Sequence, residues 1–265
     1  MVSPESEFDK RVRSSQTVQP LGEKPFGELI DLYTGAISFR QADIVQEGQG
    51  LPIELSRTLE INDRSFAEVP SRAFADWRLE IPKIETIVGA ERFGLRCANI
   101  SRAPTIVLNS SASSSPIFYP PEQWWGGYQL VIPGSGRQEL LAKDAANGNI
   151  PQAMTVDGGA VNFSLVTKNQ WAIGCLQRTA NGVAGDGFFV VSPEGTKYWM
   201  DWAVTKPYTN VGFAQPNFGG VARSIAMNLV SKVEDRFGNT LTYQYDSEGN
   251  LVRIAASDGR LLSRP

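Results

Sequence analysis

The 265-residue chain contains no histidine. That excludes Ser-His-Asp and Cys-His catalysis, histidine-ligated zinc and a histidine-based pH switch. Any chemistry would fall to carboxylates, lysine, tyrosine or a cysteine. Only two cysteines occur, Cys97 and Cys175, too few and too far apart for a zinc cluster built on close pairs. Their small and apolar neighbours fit either two buried thiols or one disulfide between distant strands. The second would imply an oxidising compartment. An excess of one charge is also lacking: 25 basic residues face 28 acidic ones, a net of −3. Such a balance offers no electrostatic footprint for nucleic acid or an anionic membrane. No apolar run approaches the roughly 18 residues of a membrane-spanning helix. Met1 to Gln16 is polar and lacks the apolar core of a secretory signal. No long segment keeps a helical period.

What is present points to β structure. Glycine (25) and proline (16) are plentiful and apolar residues make up 42%, which favours short strands and turns around a real core. Residues 1–20 read as a polar, flexible leader. Beyond them Leu29–Tyr33 and Ala36–Gln41 read as a hairpin, and Leu51–Leu59 as a longer strand after the Gly48-Gln49-Gly50 turn. Asp76 to Ile87 alternates, with Trp77, Leu79 and Ile81 on one face, until Pro82 breaks the pattern. The connections are too short for crossover helices, so the strands are antiparallel. Ile225–Val233 is expected to carry a short helical turn.

The closing stretch, Val233 to Arg260, is the most regular. Its turn glycines, Gly238, Gly249 and Gly259, lie 11 and then 10 residues apart. Between them run Thr240-Leu241-Thr242-Tyr243-Gln244-Tyr245 and Leu251-Val252-Arg253-Ile254-Ala255. A strand of about 5 residues plus a short loop gives steps of roughly 8 to 12, so the reading is strand, turn, strand, turn. A unit this small cannot bury its own apolar face and must stack on copies of itself or on a neighbouring sheet.

Asp235-Arg236-Phe237-Gly238-Asn239, then Tyr243-Gln244-Tyr245-Asp246 and Gly249-Asn250-Leu251, resembles the tyrosine–aspartate (YD) repeat of the RHS family. A second stretch, Phe26 to Thr58, is similar to the segment that opens the repeat region in bacterial RHS and wall-associated proteins. The matching positions are Asp31, Thr34, Gly35, Asp43, Gly48, Gly50, Leu51, Pro52, Arg57 and Thr58. Ser192 to Tyr198 is a weaker third match. The resemblance implies an all-β chain of antiparallel meanders and hairpins, forming a sandwich or curved sheet that leads into a YD-repeat β-shell. Residues 21–228 would be the β-rich amino-terminal region and 229–265 the start of the array. In that family the repeats wind into a hollow shell around a carboxy-terminal toxin, or anchor at the cell surface. The expected role is therefore structural and non-enzymatic, forming or plugging one end of the shell. Its expected partners are the rest of the same polypeptide or a toxin domain. The expected location is the surface or exterior of a bacterium, with a cytoplasmic stage before export. No self-cleaving motif or toxin is carried over, because the chain ends before either.

Other sites compete with that reading. Tyr119, Trp124, Trp125 and Tyr128, with Glu122 and Gln123, have the residue types of a sugar platform for cell-wall carbohydrate. The simpler role for the same rings is to cap one end of a sheet and fill the core. Asp76 with Glu80, or Glu194 with Asp201, are carboxylate pairs that a glycoside hydrolase would need in one cleft. Asp235, Asp246 and Asp258 recur at turn spacing. Too few oxygens accompany them for calcium, and binding the local backbone is the simpler role. No cofactor is expected.

Overall fold

The computed structural model describes residues 28–30, 37–61, 77–89, 97, 106–108, 117–119, 125–143, 151–211 and 221–263. The polar leader, Trp124 and Asp76 lie outside them. Among the described residues there is no α-helix, and every strand pairing is antiparallel. The chain is all-β, as the turn-rich composition predicts.

Four strands open the chain: β1 (Glu28–Ile30), β2 (Ile37–Gln46), β3 (Ile53–Ile61) and β4 (Arg78–Glu80). They pair in sequence order as one sheet. Pro82, which cannot donate to a ladder, separates β4 from β5 (Lys83–Gly89), and β5 belongs to a different sheet. The alternating run 76–87 therefore spans two sheets rather than forming one strand. β6 (Ile106–Leu108) and β7 (Ile117–Tyr119) form a separate ribbon.

The second sheet curls into a nearly closed barrel. Its strands are β5, β8 (Gln129–Ile132), β9 (Gly136–Glu139), β10 (Leu141–Ala142), β11 (Ala153–Val156), β12 (Gly159–Val166), β13 (Ala172–Leu176), β14 (Gly187–Val191), β15 (Lys197–Val211) and β16 (Val221–Glu234). From β16 one path runs β5–β8–β9 and the other β15–β14–β13–β12–β10. β9 and β10 are one run of chain broken only at Leu140. That run hands over from β8 to β12 and joins the two paths, through two residue pairs at Leu141 and Ala142. β11 adds to β12 outside the ring.

Side chains fill the ring. Ile84, Val88, Leu130, Ile132, Leu140, Leu165, Ile173, Phe188, Val190, Met200 and Ala226 form one buried cluster drawn from every wall. An eight-strand barrel is about wide enough to be packed solid in this way. β14 is buried along its whole length. Phe188 and Val190 point into the barrel, while Phe189 and Val191 point outward onto Phe163, Val161 and Trp199. Cys97 and Cys175 form a disulfide across a sequence separation of 78, tying the segment after β5 to β13.

Three more strands close the described chain: β17 (Thr240–Tyr245), β18 (Leu251–Ala256) and β19 (Leu261–Ser263). They extend outward from β16 in order. A second apolar layer lies between them and the first sheet. Ile53, Ile81, Ile225, Met227, Leu229, Val233, Leu241, Tyr245 and Ile254 are its buried core. β16 is thus buried on both faces: Ala226 enters the barrel, and Ile225 and Met227 enter the outer layer. The helical turn expected within 225–233 is absent, because all of it is strand. A strand buried on both sides reads as a continuous apolar run, which periodicity cannot tell from a short helix.

Candidate functional site

β16 is a fork. One of its edges pairs with β15 along most of its length. The other edge pairs with β5 from Arg223 to Leu229, and then with β17 from Lys232 to Glu234. Between the two partners sits Val230, fully buried, whose backbone groups belong to neither ladder. Its N–H donates to the Pro82 carbonyl at 3.0 Å. Its carbonyl accepts the Tyr245 hydroxyl at 2.6 Å. A buried peptide left unpaired would cost about 1–3 kcal/mol for each group, so these two contacts let one strand edge serve two sheets. Burial pushes the Tyr245 phenol well above its ordinary value, and it stays a donor at any physiological pH. Trp202 packs on the same ring, 5.5 Å between centroids.

The remaining motif residues build the hairpin turns. Asp235 Oδ1 accepts the Phe237 and Asn239 N–H groups at 2.8 and 2.9 Å, and Oδ2 accepts Asn239 Nδ2 at 2.8 Å. Asp246 repeats the pattern with Glu248 and Asn250, at 2.9 and 2.8 Å from the backbone and 2.9 Å from Asn250 Nδ2. The Asn239 side-chain amide leads the interactions that hold the Asp235 carboxyl below its usual range, and Asn250 does the same for Asp246. Gly238 and Gly249 take φ of 88° and 77°, where a side chain is strained. At Gly249 a Cβ would also lie 2.5 Å from Val204 Cγ2. Tyr243 packs in the outer layer beside Tyr198, and burial raises its phenol pKa as well.

The third turn has the same backbone and different wiring. Ala256 N–H bonds the Arg260 carbonyl at 2.9 Å, as Asp235 bonds Asn239 and Asp246 bonds Asn250 at 3.0 Å. Ala256, however, stands where the other turns have their aspartate, and Arg260 where they have asparagine. Asp258 is therefore not equivalent to Asp235 and Asp246. It occupies the position of Phe237 and Glu248, and its carboxylate holds Arg260 Nε at 2.8 and 2.9 Å. Arg260 reaches outward to the carbonyls of Gln46 and Leu51, on either side of the β2–β3 loop. Residue identity carried this signal, but turn spacing alone made the three turns look alike.

Of the other candidate residues, Trp125 and Tyr128 meet edge to face, 6.2 Å between ring centroids. Trp125 donates its indole N–H to Thr86 Oγ1 at 2.8 Å, and Tyr128 packs on Phe188 at the barrel core. Trp124 lies outside the described residues, as does the Tyr119 side chain. Glu80 is held by Arg40 and by the Thr58 hydroxyl. Asp201 sits in a break of register between Met200 and Trp202, and burial raises its pKa. The open depression beside Trp202 is lined by Asn181 and Asp246. Asn181 spends both side-chain atoms on the Ala203 backbone, and Asp246 spends its carboxylate on its own turn. Buried Glu85 lies 2.6 Å from Lys83 and 2.7 Å from Arg137. Desolvation opposes its ionisation, yet these two cations hold its pKa below the ordinary value. Among the described residues no group of histidine, cysteine or carboxylates could hold a metal, and no helix is long and apolar enough to cross a membrane.

Three comparisons bear on the chain. The RHS Repeat family model matches residues 228–261. No curated protein matches the sequence. Among solved structures, one described as "Crystal Structure of TcdB2-TccC3 without hypervariable C-terminal region" aligns with 87% of this chain at 14% identity and a TM-score of 0.39. The alignment covers 10% of that chain, so the present sequence spans about a tenth of its length. The fork and its two self-capped turns fall within the matched segment: this all-β chain carries an RHS repeat at residues 228–261.

Proposed function

We propose that the chain is a non-enzymatic structural segment of an RHS protein, forming or plugging one end of a β-shell that encloses or displays a carboxy-terminal effector. One observation carries the reading. The RHS repeat begins on the edge of a packed barrel and ends on β19, which among the described residues pairs with β18 alone. Strand pairing thus starts from a fixed base and leaves its outer edge open to the next hairpin. In this reading residues 21–228 are the amino-terminal region and 229–265 open the array, with β16 spanning the junction. Leu261 on β19 is exposed and would be covered by the following repeat. The partners would be later repeats of the same polypeptide and the effector they surround. The Cys97–Cys175 disulfide supports a site of action outside the bacterial cytosol, at the cell surface or in the medium.

Appending one further hairpin, a copy of residues 240–261 placed after Ser263, tests the reading. The expected result is at least tenfold slower hydrogen exchange at the β19 amides, with the oligomeric state unchanged. An appended hairpin that stays unprotected and leaves β19 unchanged would overturn it.

A further inference from the structure

We propose that the end of β2 and the loop that follows it, residues 46–51, form a guanidinium receptor that selects the Asp258-Gly259-Arg260 turn, and that this contact seats the amino-terminal sheet on the repeat. The three turns differ in what they do with their side chains. The first two close on themselves, because Asn239 and Asn250 are each spent on the aspartate four residues earlier. In neither does the side chain at that position reach beyond its own turn. The third lacks that aspartate and projects a charged fork instead.

The loop is shaped for that fork. The Gln46 and Leu51 carbonyls converge on Arg260 Nη1 and Nη2, the latter at 2.7 Å, although loop and turn are more than 200 positions apart in sequence. Asp258 orients the guanidinium through Nε. Arg260 is 13% exposed, in contrast to 76% for Phe237 two strands away at the same end. Gly48 makes the space: a Cβ there would lie 2.2 Å from Arg260 Cζ. Gly50 lies against the first turn, where a Cβ would be 2.8 Å from Asn239 Cβ. One loop therefore grips the third turn and abuts the first, which fixes the sheet across both hairpins. Lysine does not replace this arginine, because a single ammonium cannot span two carbonyls and a carboxylate in a plane.

The inference does not rest on the shell reading. It concerns which hairpin the sheet grips, and it would hold equally in a stand-alone domain. Hydrogen exchange on the full chain tests it with two variants. Ala256→Asp with Arg260→Asn rebuilds the third turn as a self-capped copy of the others. Exchange across residues 46–52 should accelerate at least tenfold, while β17 and β18 stay within about twofold of the parent. Gly48→Ala leaves the turn untouched and should give the same loss in the loop. Arg260→Lys should behave as the loss, not as the parent. Unchanged protection at 46–52 in both of the first two variants would overturn the proposal. So would an equal loss through β17–β19 in the double variant, since Arg260 would then serve its own hairpin.

Discussion

The barrel and the closing repeat share β16 and treat their strand edges in opposite ways. The barrel joins its two ends through the run β9–β10, and its interior is filled from every wall. Among the described residues the repeat leaves β19 with one partner and is covered on one face, beneath the amino-terminal sheet. A closed ring cannot add another strand, whereas an open sheet can. The first strand of the repeat is thus fixed by a ring that is already closed. Val230 is where the two arrangements meet, with Pro82 from the barrel path on its N–H and Tyr245 from the repeat on its carbonyl.

The largest expected effect falls on the barrel alone. Replacing both cysteines with serine removes a cross-link over a separation of 78 residues, worth about 4 kcal/mol in the loop-entropy account. Thermal unfolding should shift down by roughly 10 °C at about 2–4 °C per kcal/mol. Exchange should rise first in β13 and β14 rather than in β18. Gly249→Ala should do the reverse. It combines a strained φ with a 2.5 Å approach to Val204, an overpacking cost of about 1–3 kcal/mol before strain is added. The repeat should loosen while the Ile84–Phe188 core stays protected.

A smaller effect of opposite sign is expected at Asp201. Its Oδ1 is buried without a partner, and burial raises its pKa. A carboxyl whose native pKa is raised opposes folding above its unfolded value of about 3.9. Asp201→Asn should therefore raise the melting temperature at pH 7 by a few degrees, and the gain should shrink as pH falls toward 4. The least effect is expected at the turns. Asp235 and Asp246 have depressed native pKa values. Their contribution is complete above the unfolded value near 3.9 and is lost as pH falls through the native values. Asp235→Asn with Asp246→Asn should narrow the gap between melting temperatures measured at pH 7 and pH 3. An unaltered gap would show that the two carboxylates do not stabilise their turns.

Local chemistry was legible in the sequence. The glycines of the three turns, the aspartate caps at 235 and 246, and the break at Pro82 follow from backbone conformation and donor count, which each residue type carries with it. Long-range closure was not legible. Nothing in Leu141-Ala142 announces that two residues join a ring, and β16 hides its strand character by being apolar on both faces. The cysteines read more simply as buried free thiols than as the disulfide they form, because the pairing depends on where β13 lies. The contact between Gly48 and Arg260 was present as two separate motifs whose meeting only the fold supplies. Trp125 and Tyr128, singled out by residue type, meet edge to face, with the Trp125 indole N–H on Thr86 and the Tyr128 ring against Phe188, neighbours that only the fold supplies.

The fork is tested most directly by Tyr245→Phe, which removes one hydroxyl and leaves the Val230 carbonyl buried without its donor. Residue-resolved hydrogen exchange should show a loss of about 1–3 kcal/mol in protection, confined to β17–β19 and the Val230–Glu234 end of β16, with β5 and β13–β14 unchanged. Protection that is unaltered, or that falls equally across barrel and repeat, would contradict a branch point at Val230.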